Sequence, residues 1–243
     1  MGKMSESPAI LALHGNLGTP ADWDLPGCPD LHRLDLWDHV HLDFHDFAAT
    51  LAGPLAAGLE KPILAGYSLG GRLALQALAA FPERWSGAVI VSAHPGLCCV
   101  EDRLARRTSD AIWAERARTM EWDAFLDQWN AQPLFGDVPP ALRARQVALE
   151  SRREAIATAF ETWSLGRQED LRSRLGRFSG PVVWITGEND ARFTHLGAEM
   201  ASVFPDFRQV VVPGAGHRVL EDGAEVVGRE VLELMVGVLA RRT

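Results

Sequence analysis

The sequence predicts an α/β fold, in which helices flank a mostly parallel β-sheet. Short apolar runs alternate with longer segments of helical periodicity up to residue 93, and the same alternation resumes after residue 166. Hydrophobic residues make up 47% of the chain and charged residues 23%, which is typical of a globular domain. The length of 243 residues is enough for one large domain with a substantial core.

The first part of the chain predicts four strands and two helices. The strands are short apolar runs at residues 8–13, 31–36, 62–65 and 88–92. A helix is predicted over residues 44–59, because Phe44, Phe47, Leu51, Leu55 and Leu59 fall on one stripe at helical spacing. A second helix, rich in small residues, is predicted over residues 69–81 and ends before a proline.

Residues 94–166 have a different character. They form a long polar segment of helical pattern, rich in Arg, Glu and Trp, that prolines break into pieces. The strand pattern returns at residues 181–186 and 208–212, and a final helix is predicted over residues 224–240. We therefore expect a core formed by residues 1–93 and 167–243, with residues 94–166 inserted as a helical lid.

Composition excludes several classes of protein. The net charge of −8 argues against a nucleic-acid-binding protein, which needs a basic face. No run of 18 apolar residues is present, so no membrane-spanning helix is expected. The three cysteines lack CxxC spacing, and residues 1–8 lack the pattern of a signal peptide, so a cytoplasmic protein with reduced thiols is predicted. No zinc pattern is found and no cofactor is expected. The His and Asp residues between positions 38 and 46 are expected to cap a helix and to face solvent.

The strongest motif is the pentapeptide at residues 66–70, Gly-Tyr-Ser-Leu-Gly, which lies between a predicted strand and a predicted helix. This context predicts a nucleophile elbow, with Ser68 on a strained turn. The residues two positions away, Gly66 and Gly70, must be small for such a turn to close. The N–H groups at the start of the following helix favour negative charge near Ser68.

The partners that activate a serine are found later in the chain. In folds with such an elbow, an acid and then a histidine follow the serine in chain order. His217 lies in a glycine-flanked loop after the last predicted strand, and Glu188 and Asp190 are both candidates for the acid. His217 would take the proton of Ser68, and the acid would orient the imidazole.

An anionic intermediate also needs hydrogen-bond donors. The backbone N–H groups of Asn16 and Leu69 are predicted to supply them. His14, at the end of the first predicted strand, is expected to brace its loop through hydrogen bonds.

With these motifs, the sequence resembles the α/β-hydrolase superfamily over nearly its whole length. Within it, the sequence is most similar to the 2-succinyl-6-hydroxy-2,4-cyclohexadiene-1-carboxylate synthases of the menaquinone pathway. The motifs that carry this resemblance lie at residues 13–18, 22–23, 66–72, 94–97, 106–116, 125–135, 164–165, 187–193 and 214–217.

The resemblance implies an α/β-hydrolase fold and selects Asp190 as the acid. It also implies that the serine abstracts a proton, which starts the elimination of pyruvate from a succinyl-cyclohexene carboxylate. By motif match, Arg72 and Arg106 would hold carboxylates of a small-molecule substrate. Trp129 and Tyr67 would shape the pocket. For each arginine an ion pair on a helix surface is the alternative interpretation.

The sequence also departs from the family pattern. Asn130 stands where an aromatic residue is usual, Asn16 stands where Phe is typical, and Glu150 lies near the place of a family arginine. The loop after the second strand also differs, with Asp35-Leu-Trp-Asp38 in place of the usual Asp-Leu-Pro-Gly-His-Gly.

These departures keep a second reaction open, the hydrolysis of a carboxylic ester or thioester through an acyl-Ser68 intermediate. A binding protein without catalysis is disfavoured, because all three residues of the predicted triad are present. The oligomeric state is not predicted.

Overall fold

A computed structural model describes residues 8–28 and 31–241. Its six strands form one parallel sheet in the order β2-β1-β3-β4-β5-β6. The strands are β1 Ile10–Leu13, β2 His32–Leu34, β3 Ile63–Tyr67, β4 Gly87–Val91, β5 Val182–Gly187 and β6 Phe207–Val212. The four central strands are buried along nearly their whole length, as expected for a parallel sheet covered on both faces. The predicted fold class is confirmed.

Ten α-helices are found in the described part of the chain. They are α1 Phe44–Ala52, α2 Leu69–Ala80, α3 Val100–Thr119, α4 Trp122–Asn130, α5 Pro140–Ala148, α6 Arg153–Thr162, α7 Arg172–Leu175, α8 Ala191–Met200, α9 Val219–Asp222 and α10 Ala224–Ala240. Helices α3 to α6 lie between β4 and β5 in the chain, where the insertion was predicted. No described helix is long and apolar enough to cross a membrane.

Two apolar cores lie on the two faces of the sheet. Alternate residues of β1 divide between them, with Leu11 and Leu13 in one core and Ile10 and Ala12 in the other. The first core also takes the buried faces of α1, α2 and the inserted helices, whereas the second takes the apolar stripe of α10. The sheet is thus held between helices, and the loops at its carboxyl edge remain available for a site.

The helix predicted over residues 44–59 is wrong at its C-terminal end. It ends at Ala52, and Pro54–Ala56 forms a separate 3-10 turn. Proline has no N–H to donate and disfavours helical backbone at the preceding Gly53, so the helix stops there although the apolar spacing continues. At its start, the Asp43 carboxylate accepts hydrogen bonds from the N–H groups of His45 and Asp46, which confirms the predicted capping role of this polar segment.

Arg84 secures the turn that follows α1. Its guanidinium donates to the carbonyl oxygens of Ala52 (2.8 Å), Ala56 (2.8 Å) and Leu59 (3.0 Å). We expect Arg84→Met to lower the free energy of unfolding by about 2 kcal/mol, because three carbonyls lose a charged donor. Urea unfolding measures the loss. Arg229→Met, at an exposed position on α10, is the matched control, and equal effects of the two substitutions would contradict the assignment.

Candidate functional site

Ser68 occupies a sharp turn between β3 and α2. Its backbone φ is +51°, which is unusual for a residue with a side chain. A Cβ at Gly66 would lie 2.5 Å from the Gly70 carbonyl oxygen, and one at Gly70 would lie 2.3 Å from that of Leu13. Both positions therefore require glycine, which confirms the predicted need for small residues on either side of Ser68.

Ser68, His217 and Asp190 form a continuous hydrogen-bonded chain. Ser68 Oγ lies 3.2 Å from His217 Nε2, and His217 Nδ1 lies 2.7 Å from Asp190 Oδ2. The other carboxylate oxygen of Asp190 accepts from the backbone N–H of Phe193 at 3.4 Å, in the first turn of α8. Both oxygens of Asp190 thus have partners, which fixes the carboxylate and, through it, the plane of the imidazole.

Glu188, the competing acid, has a different contact. Its Oε2 accepts from the backbone N–H of Gly214 at 2.8 Å, and the side chain lies at the surface. Glu188 therefore supports the loop that carries His217 without contacting the imidazole. The geometry favours Asp190 as the acid.

The loop after β1 meets the turn at Ser68. The Gly70 N–H donates to the His14 carbonyl oxygen at 3.0 Å, which holds the two segments together. Asn16 and Leu69 consequently line the same cavity as Ser68. Leu69 is the first residue of α2, so its N–H is one of those without an intrahelical acceptor.

His14 braces this loop. Its Nδ1 lies 2.9 Å from the Gly15 carbonyl oxygen, and its Nε2 accepts from the Leu36 N–H at 3.0 Å. The ring is fully buried and both nitrogens have partners, which confirms the predicted bracing role.

A cavity of about 270 Å³ opens above Ser68, between the carboxyl ends of the strands and helices α3 and α4. All four residues predicted to bind substrate line it, namely Tyr67, Arg72, Arg106 and Trp129.

Arg72 is buried in the cavity wall, with 6% of its surface exposed. Its Nη1 donates to the Gln168 side-chain oxygen at 3.4 Å, and no carboxylate in the described part of the chain pairs with it. Burial, and secondarily the charge of Arg106, lowers the pKa of Arg72 to about 9, so it remains a cation at pH 7. A surface ion pair is therefore the wrong interpretation for Arg72. A buried cation without a counter-ion is stabilised by an anionic ligand.

Arg106 has a partner within the protein. Its Nε donates to Asp110 Oδ1 at 2.8 Å, and Ser164 Oγ donates to Asp110 Oδ2 at 2.7 Å. Asp110 is buried, so this pair fixes the position of Arg106 at the cavity wall. The charge of Arg106 is consequently less available to a ligand than that of Arg72.

Aromatic rings enclose the rest of the cavity. The Trp129 ring packs against Trp113, Phe135 and Phe160, with centroids 5.2 to 5.5 Å apart. Burial raises the pKa of the Tyr67 phenol well above its usual range, so its hydroxyl remains protonated.

Several cavity residues were not among the predicted site residues. The rings of Phe193 and Phe135 lie 4.6 and 5.9 Å from the His217 ring, and His94 and Arg192 line the cavity wall. Arg192 and Phe193 belong to the first turn of α8, a helix that the sequence analysis did not predict. Both belong to the motif at residues 187–193 that carries the family resemblance, and this motif was the available signal.

In the described part of the chain, none of the arginines beside Glu150 lines the cavity. Glu150 is exposed and does not line the cavity. The neighbouring arginines bind other groups of the protein: Arg145 pairs with Glu221, Arg152 pairs with Asp35 and Asp38, and Arg153 donates to the Met120 carbonyl oxygen.

Asn130 belongs to a buried polar network. Its side chain donates to Gln146 Oε1 at 2.9 Å, and its Oδ1 accepts from Arg218. The Arg218 guanidinium also lies 4.4 Å from the centre of the Phe135 ring. Arg218 follows His217 directly, so this network joins the histidine loop to the inserted helices, at the position where the family resemblance leads us to expect an aromatic residue.

A second cavity of about 30 Å³ lies behind Tyr67 and is bordered by Asp22, Arg218 and Glu221. Burial raises the pKa of Asp22 from 3.8 to about 6. The folded state therefore binds this proton more tightly than the unfolded state. This favours folding below about pH 4, and the contribution is lost as the pH rises through about 6.

We expect Asp22→Asn to remove this component of the pH dependence. The wild type should lose on the order of 3 kcal/mol more stability than the variant between pH 4 and pH 7, because burial then acts on a charged carboxylate. Urea unfolding at several pH values measures the difference between the two proteins. The exposed Asp102→Asn serves as control, and parallel curves for wild type and Asp22→Asn would refute the expectation.

Comparison with known proteins identifies the family. Residues 10–229 match the model of the "Alpha/beta hydrolase family". The chain belongs to this family. A 2-succinyl-6-hydroxy-2,4-cyclohexadiene-1-carboxylate synthase from Enterobacter sp. (strain 638) is 31% identical over 242 residues, covering 94% of this chain and 92% of that protein. The synthase from Citrobacter koseri is 35% identical over 213 residues, covering 82% and 84%.

Solved structures of the alpha/beta hydrolase family share the fold. MenH from S. aureus superposes with a TM-score of 0.80 at 20% identity, covering 98% of this chain and 96% of that one. A thermophilic esterase from Thermogutta terrifontis has a TM-score of 0.73 at 21% identity, covering 95% and 90%. The chain is thus an enzyme of the alpha/beta hydrolase family, and its curated relatives carry the name of the synthase that the sequence motifs resemble.

Proposed function

We propose that this enzyme is a 2-succinyl-6-hydroxy-2,4-cyclohexadiene-1-carboxylate synthase that eliminates pyruvate from a succinyl-cyclohexene carboxylate. The observation that carries the proposal is the buried guanidinium of Arg72, which lines the same cavity as Ser68 and has no carboxylate partner among the described residues. Such a cation favours a substrate that brings its own carboxylate. The synthases that align over most of the chain support the same choice.

The proposed mechanism uses Ser68, His217 and Asp190 as a catalytic triad for proton abstraction. His217 Nε2 takes the proton of Ser68 Oγ, and the serine oxygen takes a proton from a substrate carbon. The electron pair left on that carbon forms a new double bond, the ring double bond shifts by one position, and the carbon–oxygen bond to the leaving group breaks. The leaving group departs as an enolate, which takes up the proton held by His217 and becomes pyruvate. Asp190 accepts a hydrogen bond from His217 Nδ1 and stabilises the imidazolium.

The negative charge that develops on the substrate needs donors. The N–H groups of Asn16 and Leu69 would stabilise it, since both residues border the cavity beside Ser68. Arg72 and Arg106 would hold substrate carboxylates, and Tyr67 and Trp129 would shape the walls around the ring.

Hydrolysis of an ester or thioester through acyl-Ser68 is the second candidate. It uses the same three side chains and the same two N–H groups. The exposed glutamate at position 150, where the synthases are expected to have an arginine, favours it.

One comparison separates the two reactions. The release of pyruvate from the succinyl-cyclohexene substrate is measured beside the hydrolysis of short nitrophenyl esters, with the same preparation of enzyme. We expect pyruvate release to be the faster reaction by kcat/KM. Ester turnover without pyruvate release would reject the synthase and support the hydrolase.

A further inference from the structure

The cavity contains a second arginine that no carboxylate in the described part of the chain pairs with. Arg192 lies in the first turn of α8, lines the cavity and is exposed at its mouth. No hydrogen bond or ion pair joins its guanidinium to another group in the described part of the chain. Its Cζ lies 6.0 Å from the centre of the Phe193 ring. Arg72 and Arg192 are therefore two cavity arginines that no carboxylate in the described part of the chain neutralises, whereas Arg106 is paired with Asp110 and keeps only part of its charge for a ligand.

His94 lies in the same wall and offers a neutral donor. Its Nδ1 accepts a hydrogen bond from the Gly96 N–H at 3.1 Å, so the ring proton resides on Nε2. No group in the described part of the chain accepts from that Nε2. Burial, and then the positive charge of Arg192, lowers the pKa of His94 to about 3, so the ring stays neutral at any ordinary pH.

Sheet geometry separates these groups from Arg72. Arg72 follows β3, His94 follows β4 and Arg192 follows β5, and these three strands are adjacent in the sheet. Arg72 is buried in the cavity wall and Arg192 is exposed at the mouth, so the two guanidinium groups enter the cavity at different depths and from different strands. A ligand with a carboxylate at each end can contact both.

We propose that Arg192 and His94 form a second anion-binding subsite, so that the cavity selects substrates with two separated carboxylates. One carboxylate binds Arg72 in the depth of the cavity, and the other binds the Arg192 guanidinium and the Nε2–H of His94 near the mouth. The inference rests on the proposed function, which supplies the carboxylate-bearing substrate that this subsite would bind. The Arg192 guanidinium supplies a cationic contact to the substrate, which the residues around Glu150 do not.

Binding of simple carboxylates tests the subsite without turnover. Acetate, succinate, glutarate and adipate are titrated into the wild type, Arg192→Gln, Arg192→Lys and the control Arg229→Gln by isothermal titration calorimetry. Arg229→Gln removes the same charge from an exposed position outside the cavity. We expect the wild type to bind the best dicarboxylate at least about tenfold more tightly than acetate.

Arg192→Gln should weaken dicarboxylate binding about fivefold or more and change acetate binding much less, because a single carboxylate still has Arg72 to bind. Arg192→Lys should retain part of the preference, and Arg229→Gln should retain all of it. In pyruvate release, Arg192→Gln should raise KM with little change in kcat.

The outcomes distinguish the two proposals. Equal dicarboxylate affinity in wild type and Arg192→Gln, or no preference for dicarboxylates in the wild type, would overturn the subsite even if pyruvate is released. A preference that depends on Arg192 in an enzyme that releases no pyruvate would keep the subsite and reject the synthase.

Discussion

Ser68→Ala should reduce kcat for pyruvate release at least about 1,000-fold, with little change in KM. The hydroxyl is the group that lies 3.2 Å from His217 Nε2, and alanine leaves the imidazole without an oxygen through which to move the proton. The rest of the cavity, including Arg72 and Arg106, is unchanged by the substitution. Substrate binding should therefore persist while the chemical step is lost.

The test measures pyruvate release and nitrophenyl ester hydrolysis in parallel for wild type and Ser68→Ala. Thermal unfolding confirms that the variant is folded. Ser151→Ala, at an exposed position outside the cavity, is the matched control. Activity that survives in Ser68→Ala on both substrates would reject the role of Ser68.

Arg72→Ala should lower kcat/KM for carboxylate substrates by one to two orders of magnitude, about 1.4 to 3 kcal/mol. Arg72 is the buried cavity cation with no carboxylate partner among the described residues, so its loss removes a contact that only an anionic ligand uses. Hydrolysis of neutral nitrophenyl esters should be nearly unchanged, since they present no carboxylate.

The two substrate classes are compared in the same variant, with Arg177→Ala as an exposed control of equal charge change. A loss of similar size on neutral esters would mean that Arg72 maintains the structure of the cavity. The packing of its guanidinium over the Phe44 ring, with Cζ 5.7 Å from the centroid, makes this comparison necessary.

The local sequence around each cavity arginine does not predict whether its charge is paired within the protein. Motif matches selected Arg72 and Arg106 together, and both line the cavity. Their charges nevertheless differ in availability, because Arg106 is paired with Asp110 and Arg72 is not. Arg192 belongs to the motif at residues 187–193, but no role is predicted for it, and no local pattern predicts the helix that carries it. Pairing of charges depends on side chains from distant parts of the chain, which no local pattern contains.

Local sequence also does not decide which carboxylate orients His217. Glu188 and Asp190 are two residues apart after the same strand, and local sequence permits either. Asp190 caps α8 and lies against His217, whereas Glu188 binds the N–H of Gly214. Only the path of the chain after β6 decides which of the two carboxylates meets the imidazole.

The sequence by itself determined the strands, the turn at Ser68 and the order of the chemical groups along the chain. These features depend on residues next to one another: apolar runs form buried strands, and glycines at positions 66 and 70 permit a close approach of backbone. Tertiary structure alone decided that the Ser68 hydroxyl meets the imidazole of His217, 149 positions later, and that Arg72 and Arg192 line one cavity without a carboxylate partner among the described residues. The physical reason is that hydrogen bonds and charge pairing act through space, whereas a sequence pattern reports only neighbours along the chain.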